Sequence, residues 1–189
     1  MITNNFTQTR RFINRIIQEK SVLPAKTERN EFSSFSTVIF DKHLINLIHC
    51  PITASGSYVV PDSVETIGIE AFAQCKGLTA IKFPLNLKTI GCLAFENCIS
   101  LTTIILPESI EEMGYRVFSK CMGLNSIYIQ VKDPSKTKMN DEVFNGVDMT
   151  SCILYVPVGT KKEYQRAAQW KDFENIVETK TVMAFMNAS

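Results

Sequence analysis

The sequence predicts a short right-handed solenoid, in which stacked coils each add one strand to a parallel β-sheet. Prolines recur every 23 residues, at Pro61, Pro84 and Pro107, and each follows an apolar stretch. Other positions keep the same spacing, namely Gly68, Gly91 and Gly114, Phe72, Phe95 and Phe118, Cys75, Cys98 and Cys121, and Ile81, Ile104 and Ile127. Agreement among so many positions indicates an internal repeat, which is the signature of a solenoid.

The strands come from the stretch Leu-x-x-Ile-x-[Phe/Leu/Ile], whose alternation of apolar residues is typical of a half-buried strand. Proline then ends the strand because it cannot donate to a ladder. Full repeats span 61–83, 84–106 and 107–129, with degraded copies on either side. They predict about five strands, at 58–60, 78–83, 101–106, 124–129 and 153–156. A spacing of roughly 20–29 residues is that of leucine-rich repeats, so we expect a β/α-type leucine-rich-repeat solenoid.

The rest of each coil returns apolar residues to the core. The glycine position lets the backbone turn a corner, with or without a positive φ. The following [Ala/Val]-Phe-x-x-Cys stretch brings phenylalanine and cysteine inward on the side opposite the strand. One coil cannot bury its apolar edge alone, so stability depends on stacking.

Four segments follow from this pattern. We expect a helical N-terminal segment at 1–37, the solenoid at 38–157, a helical C-terminal cap at 158–178 and a tail at 179–189, to which no structure is assigned. Thr160 is placed to N-cap a helix reaching about Gln169, with Glu163 at the capping-box position. We assign Trp170 to covering the last coil; the alternative is a ligand-binding tryptophan.

The N-terminal segment places four apolar residues on one side of a helix over residues 7–20, namely Phe12, Ile13, Ile16 and Ile17. We interpret it as a cap on the first coil. The alternative is a loose basic arm that docks to a partner or to an anionic membrane surface. Arg10 and Arg11 suggest a twin-arginine export signal, but polar residues interrupt the apolar run that should follow, so no export signal is expected in the sequence as written.

Composition excludes several classes of function. The 189 residues carry 20 basic and 19 acidic side chains, so the net charge of +1 provides no field to recruit nucleic acid or membrane. Apolar residues make up 45% of the chain, as in a globular protein.

No catalytic, metal or cofactor site is predicted. The cysteines of the repeat are interpreted as small buried hydrophobic residues, whereas Cys50, Cys92 and Cys152 lie outside that position and are open to a reactive or paired role. His49 next to Cys50 has no third partner at informative spacing for a nucleophile or a metal. The chain contains no glycine-rich phosphate loop and no G-x-S-x-G motif. We therefore expect a protein that is not an enzyme.

The repeats resemble a known family. "YVVPDSVETIGIEAFAQCKGLTAIKFP" and its two successors are similar to the BspA-like leucine-rich repeats of bacterial surface proteins. The segments "LINLIHCPITASGSYVVP" and "LYVPVGTKKEYQRAAQWKDFENIVE" are similar to that family's lead-in and closing segment. The resemblance implies a secreted or cell-surface protein that adheres to host proteins or to other cells. It therefore implies a protein partner, of host or bacterial surface origin.

A candidate binding face follows from the strand alternation. Side chains between the buried ones point outward, and these predict partner contacts at Val59, Lys82, Ile105, Tyr128, Ile153 and Tyr155. Exposed aromatic and aliphatic residues in a row are typical of a binding patch. The alternative is that such residues favour strands whichever way they face. A second functional hypothesis is a structural spacer or assembly element that self-associates or docks to other domains.

Overall fold

The repeats form a β-solenoid of about six coils in the computed structural model, which describes residues 38–180. The coils together form two sheets of six strands each. The first, the short-strand sheet, contains β1 (Ile39–Phe40), β2 (Asn46–His49), β4 (Thr66–Ile67), β6 (Thr89–Ile90), β8 (Glu112–Met113) and β10 (Lys138–Met139). The second, the long-strand sheet, contains β3 (Ser55–Val59), β5 (Gly77–Lys82), β7 (Thr103–Leu106), β9 (Ser126–Ile129), β11 (Ile153–Pro157) and β12 (Asn175–Thr179).

The strand register repeats from coil to coil. In the long-strand sheet, Ile104 of β7 lies opposite Ile127 of β9, at the spacing of one repeat. In the short-strand sheet, Thr66 of β4 lies opposite Thr89 of β6. All neighbouring pairs are parallel except β1 and β2, which are antiparallel. Equivalent residues of successive repeats therefore stack directly on one another.

The core lies between the two sheets and contains a ladder of phenylalanines. Phe95 stacks on Phe72 with ring centroids 4.9 Å apart, and on Phe118 at 5.3 Å. Phe144, from the degraded repeat, extends the ladder at 5.7 Å from Phe118. All four rings are fully buried. The prediction that this position returns inward is confirmed, because neighbouring coils hide each other's apolar edges.

The glycine position allows close approach of neighbouring coils. A Cβ atom at Gly114 would lie 2.5 Å from the backbone nitrogen of Cys92, and one at Gly91 would lie 2.7 Å from the nitrogen of Ile69. Neither glycine has a positive φ. The glycines are therefore required for space between coils rather than for an unusual backbone conformation.

The described residues contain little of the helical structure that the sequence predicts. Within residues 38–180, helical structure consists of the single-turn α1 (Lys161–Tyr164) and two 3-10 turns, Pro134–Lys136 and Trp170–Asp172. Short strands and turns, rather than helices, form the side of each coil opposite the long-strand sheet. The helix expected from Thr160 to Gln169 ends early. The N-terminal helix over residues 7–20 lies outside the described residues.

Packing explains why α1 is short. Tyr164 is fully buried and donates its hydroxyl to the carbonyl of Val131. Gln169 has a φ of 64° and is held by its side chain, which accepts from the Val143 N–H at 2.8 Å and donates to the Asn140 carbonyl. These tertiary contacts outweigh helix propensity over this segment. Thr160 makes no side-chain capping bond and donates instead to the Pro157 carbonyl.

The chain then forms a sixth long strand that the sequence analysis missed. β12 pairs in parallel with β11 along its whole length, from Ile153 opposite Asn175 to Pro157 opposite Thr179. Trp170 lies just before it, 1% exposed, and packs against Phe144 and Phe173. The tryptophan thus contacts the end of the phenylalanine ladder, as assigned from the sequence.

Candidate functional site

The outward face of the long-strand sheet carries a continuous row of large side chains. Strand register aligns them, since Val59 lies opposite Lys82, Ile105 opposite Tyr128, and Tyr128 opposite Tyr155. We call this the central row; its predicted members are Val59, Lys82, Ile105, Tyr128 and Tyr155. Alternation along each strand places these side chains outward, because the residues on either side of them face the core.

The two tyrosines of the central row are in direct contact. Their rings stack with centroids 4.3 Å apart and planes 6° from parallel. Burial, together with the neighbouring Tyr155 hydroxyl, raises the pKa of Tyr128 above its ordinary value. The Tyr128 phenol therefore remains a neutral donor and acceptor at physiological pH, held on a rigid sheet.

Ile153 lies beside the central row rather than in it. It precedes Tyr155 by two residues and faces outward opposite Ser126 and Asn175. This second row is otherwise made of small or polar residues, namely Ser57, Ala80, Thr103, Ser126 and Asn175. The outward face thus has a row of large side chains next to a row of small ones, which we call the lower row. Ile153 is the one large residue of the lower row and lies near one of its ends.

The structure adds one residue that the sequence analysis did not include. Val177 of β12 lies opposite Tyr155 and is 44% exposed, so it extends the central row by one strand. Alternation around it, with Ile176 buried, is a signal that the sequence contains. Val177 was not included because the sequence analysis assigned residues 158–178 to a helical cap.

Charge distinguishes this face from the rest of the solenoid. Ion pairs link neighbouring coils elsewhere, as between Lys88 and Glu65 at 2.7 Å and between Lys138 and Glu112 at 2.9 Å. The central row and the lower row together contain one charged side chain, that of Lys82. The face is therefore mainly apolar and aromatic, with a single cation near one end.

The cysteines of the repeat lie in the core, where they satisfy backbone carbonyls. The thiol of Cys98 donates to the carbonyl of Phe72 at 3.1 Å, and that of Cys121 donates to Phe95 at the same distance. A hydrogen bond with Cys121, followed by burial, raises the pKa of Cys98. These thiols are free and fully buried, as expected for small hydrophobic residues of the core.

The remaining cysteines differ in exposure. Cys50 is fully buried, and its pKa is raised by a hydrogen bond with Cys75 and by burial. Burial raises the pKa of Cys152 to about 11. Cys92 is half-buried and accepts the N–H of Tyr115 at 3.3 Å. Among residues 38–180, no group of three His, Cys, Asp or Glu side chains is placed to hold a metal ion.

The described part of the chain also lacks any helix with the length and hydrophobicity needed to cross a lipid bilayer.

Several solved structures of leucine-rich repeat and surface proteins are similar to the chain. The chain resembles a leucine-rich repeat protein from T. pallidum at 30% identity, with 54% of this chain and 45% of that one covered and a TM-score of 0.46. It resembles a leucine-rich cell surface protein from Faecalibacterium prausnitzii at 24% identity, with 74% and 36% covered and a TM-score of 0.54. It resembles the pneumococcal vaccine antigen PcpA at 19% identity, with 76% and 46% covered and a TM-score of 0.48.

The chain spans less than half the length of each of these solved proteins. No curated protein matches it. Residues 49–164 match the BspA type leucine-rich repeat region in six copies, which is more than half of the chain. Leucine-rich repeats of this kind are typically non-enzymatic and mediate protein interactions. The chain therefore belongs to the BspA-type leucine-rich repeat family.

Proposed function

We propose that the chain is a non-enzymatic protein–protein interaction module of a cell-surface or secreted protein, and that it binds its partner through the central row. The observation that carries this proposal is the alignment of Ile105, Tyr128, Tyr155 and Val177 into one rigid, mainly apolar row. An adhesin-like role at the cell surface is supported by the family and by the surface location named for the Faecalibacterium prausnitzii protein.

The physical basis is the chemistry of protein interfaces. Binding energy concentrates in a few residues, and tyrosine is among the types enriched there because it combines a large apolar body with a polar end. The Tyr128–Tyr155 pair loses little conformational freedom on binding, because strand pairing and ring stacking already hold it. Surrounding aliphatic residues can exclude water around this pair. A protein surface of matching shape is the partner that such a row fits best.

Replacing both tyrosines by aspartate tests the site. We expect Tyr128→Asp/Tyr155→Asp to weaken binding to whole host epithelial cells or bacterial cells by more than about tenfold, as expected when hot-spot residues are lost. Binding is measured by flow cytometry with labelled protein. Tyr115→Asp is the matched control, because Tyr115 is half-buried but lies outside the long-strand sheet. Unchanged binding with an intact circular-dichroism spectrum would remove the central row as the site.

A second candidate function is assembly, as a spacer that self-associates. It is favoured by β12, which forms the edge of the long-strand sheet among the described residues and exposes Val177. Val177 lies opposite Tyr155, so the central row presents an exposed apolar surface on which a second copy of the chain can pack. Light scattering distinguishes the two: a discrete oligomer that the tyrosine variant dissociates favours assembly, whereas a monomer that still binds cells favours the first proposal.

A further inference from the structure

The degraded repeat before β11 contains Asn145-Gly146, which is the one Asn-Gly pair in the sequence. Both residues are exposed, in a turn between the buried residues Phe144 and Val147. Gly146 has a φ of 80°, and the N–H of Val147 donates to the carbonyl of Phe144 at 3.0 Å across the turn. Glycine has no Cβ to shield its own peptide nitrogen. The Gly146 nitrogen is therefore sterically open to the neighbouring asparagine side chain.

The N–H of Gly146 differs from its equivalents in the earlier coils. At the same position of the repeat, Gln74, Asn97 and Lys120 each donate their backbone N–H to a carbonyl of the next coil, at 2.7–2.8 Å. The chain that follows Gly146 departs from the repeat and places no such carbonyl there. Within residues 38–180, the Gly146 N–H consequently has no hydrogen-bond acceptor.

The carbonyl of the same peptide bond, by contrast, accepts a hydrogen bond. The backbone N–H of Lys120 donates to the Asn145 oxygen at 2.7 Å. When the Gly146 nitrogen loses its proton, negative charge spreads onto this oxygen, because the peptide bond is delocalised. A hydrogen-bond donor that already points at the oxygen stabilises the charge as it develops. The fold thus leaves the nitrogen unbonded and stabilises the oxygen that shares its charge.

We propose that Asn145 is a site of spontaneous modification, at which the side-chain amide is converted to a carboxylate through a succinimide. Hydroxide from the solvent removes the Gly146 amide proton, and the nitrogen attacks Cγ of Asn145. The bond from Cγ to the side-chain nitrogen breaks, and that nitrogen takes a proton from water and leaves as ammonia. Water then opens the ring at either carbonyl, which gives aspartate or isoaspartate. The proposal is independent of binding at the central row.

The isoaspartate product changes the main chain of the coil. It routes the backbone through the former side chain and adds one methylene between Phe144 and Val147, which are both buried. The Asn145 N–H donates to the Glu142 carbonyl at 3.0 Å, and the Asn145 carbonyl accepts from Lys120, so the surrounding backbone is held on both sides. Extra length in a packed segment is destabilising. Isoaspartate therefore loosens the packing of Phe144, whereas aspartate leaves the backbone length unchanged.

Peptide mapping by mass spectrometry tests the proposal on folded protein incubated at mildly alkaline pH. We expect Asn145 to show the mass change from NH₂ to OH before any other asparagine in residues 38–180. Asn125 is the matched internal control: it is also exposed, but the N–H that follows it, of Ser126, donates to the Thr102 carbonyl at 3.3 Å. Equal conversion of Asn125 and Asn145 would overturn the proposal.

A parallel incubation in guanidinium chloride separates the effect of the fold from that of the sequence. Asn145 should convert in the folded protein as well as in the unfolded chain. An Asn145 side chain that stays intact in the folded protein while it converts in the unfolded chain would overturn the proposal, because the fold would then protect the pair.

Two variants test the mechanism and the consequence. Gly146→Gln should slow conversion severalfold through its added Cβ, and the turn can be kept, because Gln74 has a φ of 66° at the same position of the repeat. Conversion at the wild-type rate, with an unchanged circular-dichroism spectrum, would overturn the mechanism. Asn145→Asp supplies the aspartate product, and its urea-unfolding midpoint should exceed that of aged protein enriched in isoaspartate. Equal midpoints would overturn the proposed loosening.

Discussion

At the scale of single residues, Asp148 organises the turn that leads into β11. Its carboxylate accepts hydrogen bonds from the Thr150 N–H at 3.0 Å, from the Thr150 hydroxyl at 2.6 Å and from the Ser151 hydroxyl at 2.8 Å. The Thr150 and Ser151 side chains are the main reason that the pKa of Asp148 falls from 3.8 to about 2. Hydrogen bonds to the ionised form favour it, so the charged carboxylate is the state that stabilises the fold.

A pH dependence of stability follows from this shift. Because the folded-state pKa lies below the unfolded value, the contribution of Asp148 is fully present above about pH 4 and is lost as the pH falls through about 2. We expect Asp148→Asn to reduce stability near neutral pH and to flatten the acid limb of the urea-unfolding midpoint between pH 4 and 2. Asp62→Asn is the control at an exposed turn. Parallel acid limbs in wild type and Asp148→Asn would contradict the assignment.

At the scale of the structural element, the spacing between coils depends on glycine. A Cβ atom at Gly114 would lie 2.5 Å from the backbone nitrogen of Cys92 and 2.9 Å from both its Cα and its Sγ, so moving the Cys92 side chain alone would not relieve the contact. Its backbone conformation is open to other residues, so a substitution there tests space alone. Gly91 repeats the arrangement one coil earlier.

Gly114→Ala should therefore destabilise the protein by overpacking. Inserting one methyl group into such a contact costs about 1–3 kcal/mol, because strand pairing on both sides resists the shift that would accommodate it. Chemical denaturation measures the change. Lys76→Ala, in an exposed turn, should leave the unfolding midpoint almost unchanged. A Gly114→Ala variant as stable as wild type would show that the coils are less tightly spaced than described.

At the scale of the whole molecule, each coil contacts its neighbours and little else, so the solenoid is expected to behave as a one-dimensional array. Damage at an end should then stay local, whereas damage in the middle should interrupt the array. Ile176 of β12 and Ile104 of β7 are both buried and point toward the core, and they provide a matched pair.

We expect Ile176→Asp to release β12 while β5 and β7 keep their protection from hydrogen exchange. Ile104→Asp should remove protection throughout, because an unpaired charge in the central coil is too costly to bury. Peptide-level hydrogen exchange with mass spectrometry distinguishes the two patterns. Global loss of protection in Ile176→Asp would show that the coils fold as one cooperative unit.

The sequence predicts the structure around a residue best where that residue follows the 23-residue repeat. Periodicity predicts five of the long strands, the phenylalanine ladder and the buried cysteines of the repeat. It does so because residues that recur at the repeat spacing stack on one another in the core. The short-strand sheet was missed, since two-residue strands such as Thr66–Ile67 carry too little alternation to be recognised. β12 was missed because tertiary contacts at Tyr164 and Gln169 end the helix that local propensity favours.

The same distinction applies to the candidate site. The central row was predictable from alternation and repeat spacing, apart from Val177. Val177 was not predicted, because only tertiary contacts at Tyr164 and Gln169 end the expected helix and allow this segment to form a strand.

The 23-residue offset between the stacked strands of the central repeats has a consequence for how such a molecule changes in length. Thr89 meets Thr66 on one side and Glu112 on the other, always one repeat away along the chain. Duplicating or deleting an entire unit therefore preserves every backbone bond in phase, and the new copy arrives with its own phenylalanine, cysteine and glycine already placed. Insertions of a few residues lie outside the strands: the offset rises to 26 residues between Glu112 and Lys138 and to 27 between Ser126 and Ile153, and most of the extra residues lie in the turn after β9. A solenoid of this kind therefore changes its length most readily by gaining or losing whole coils.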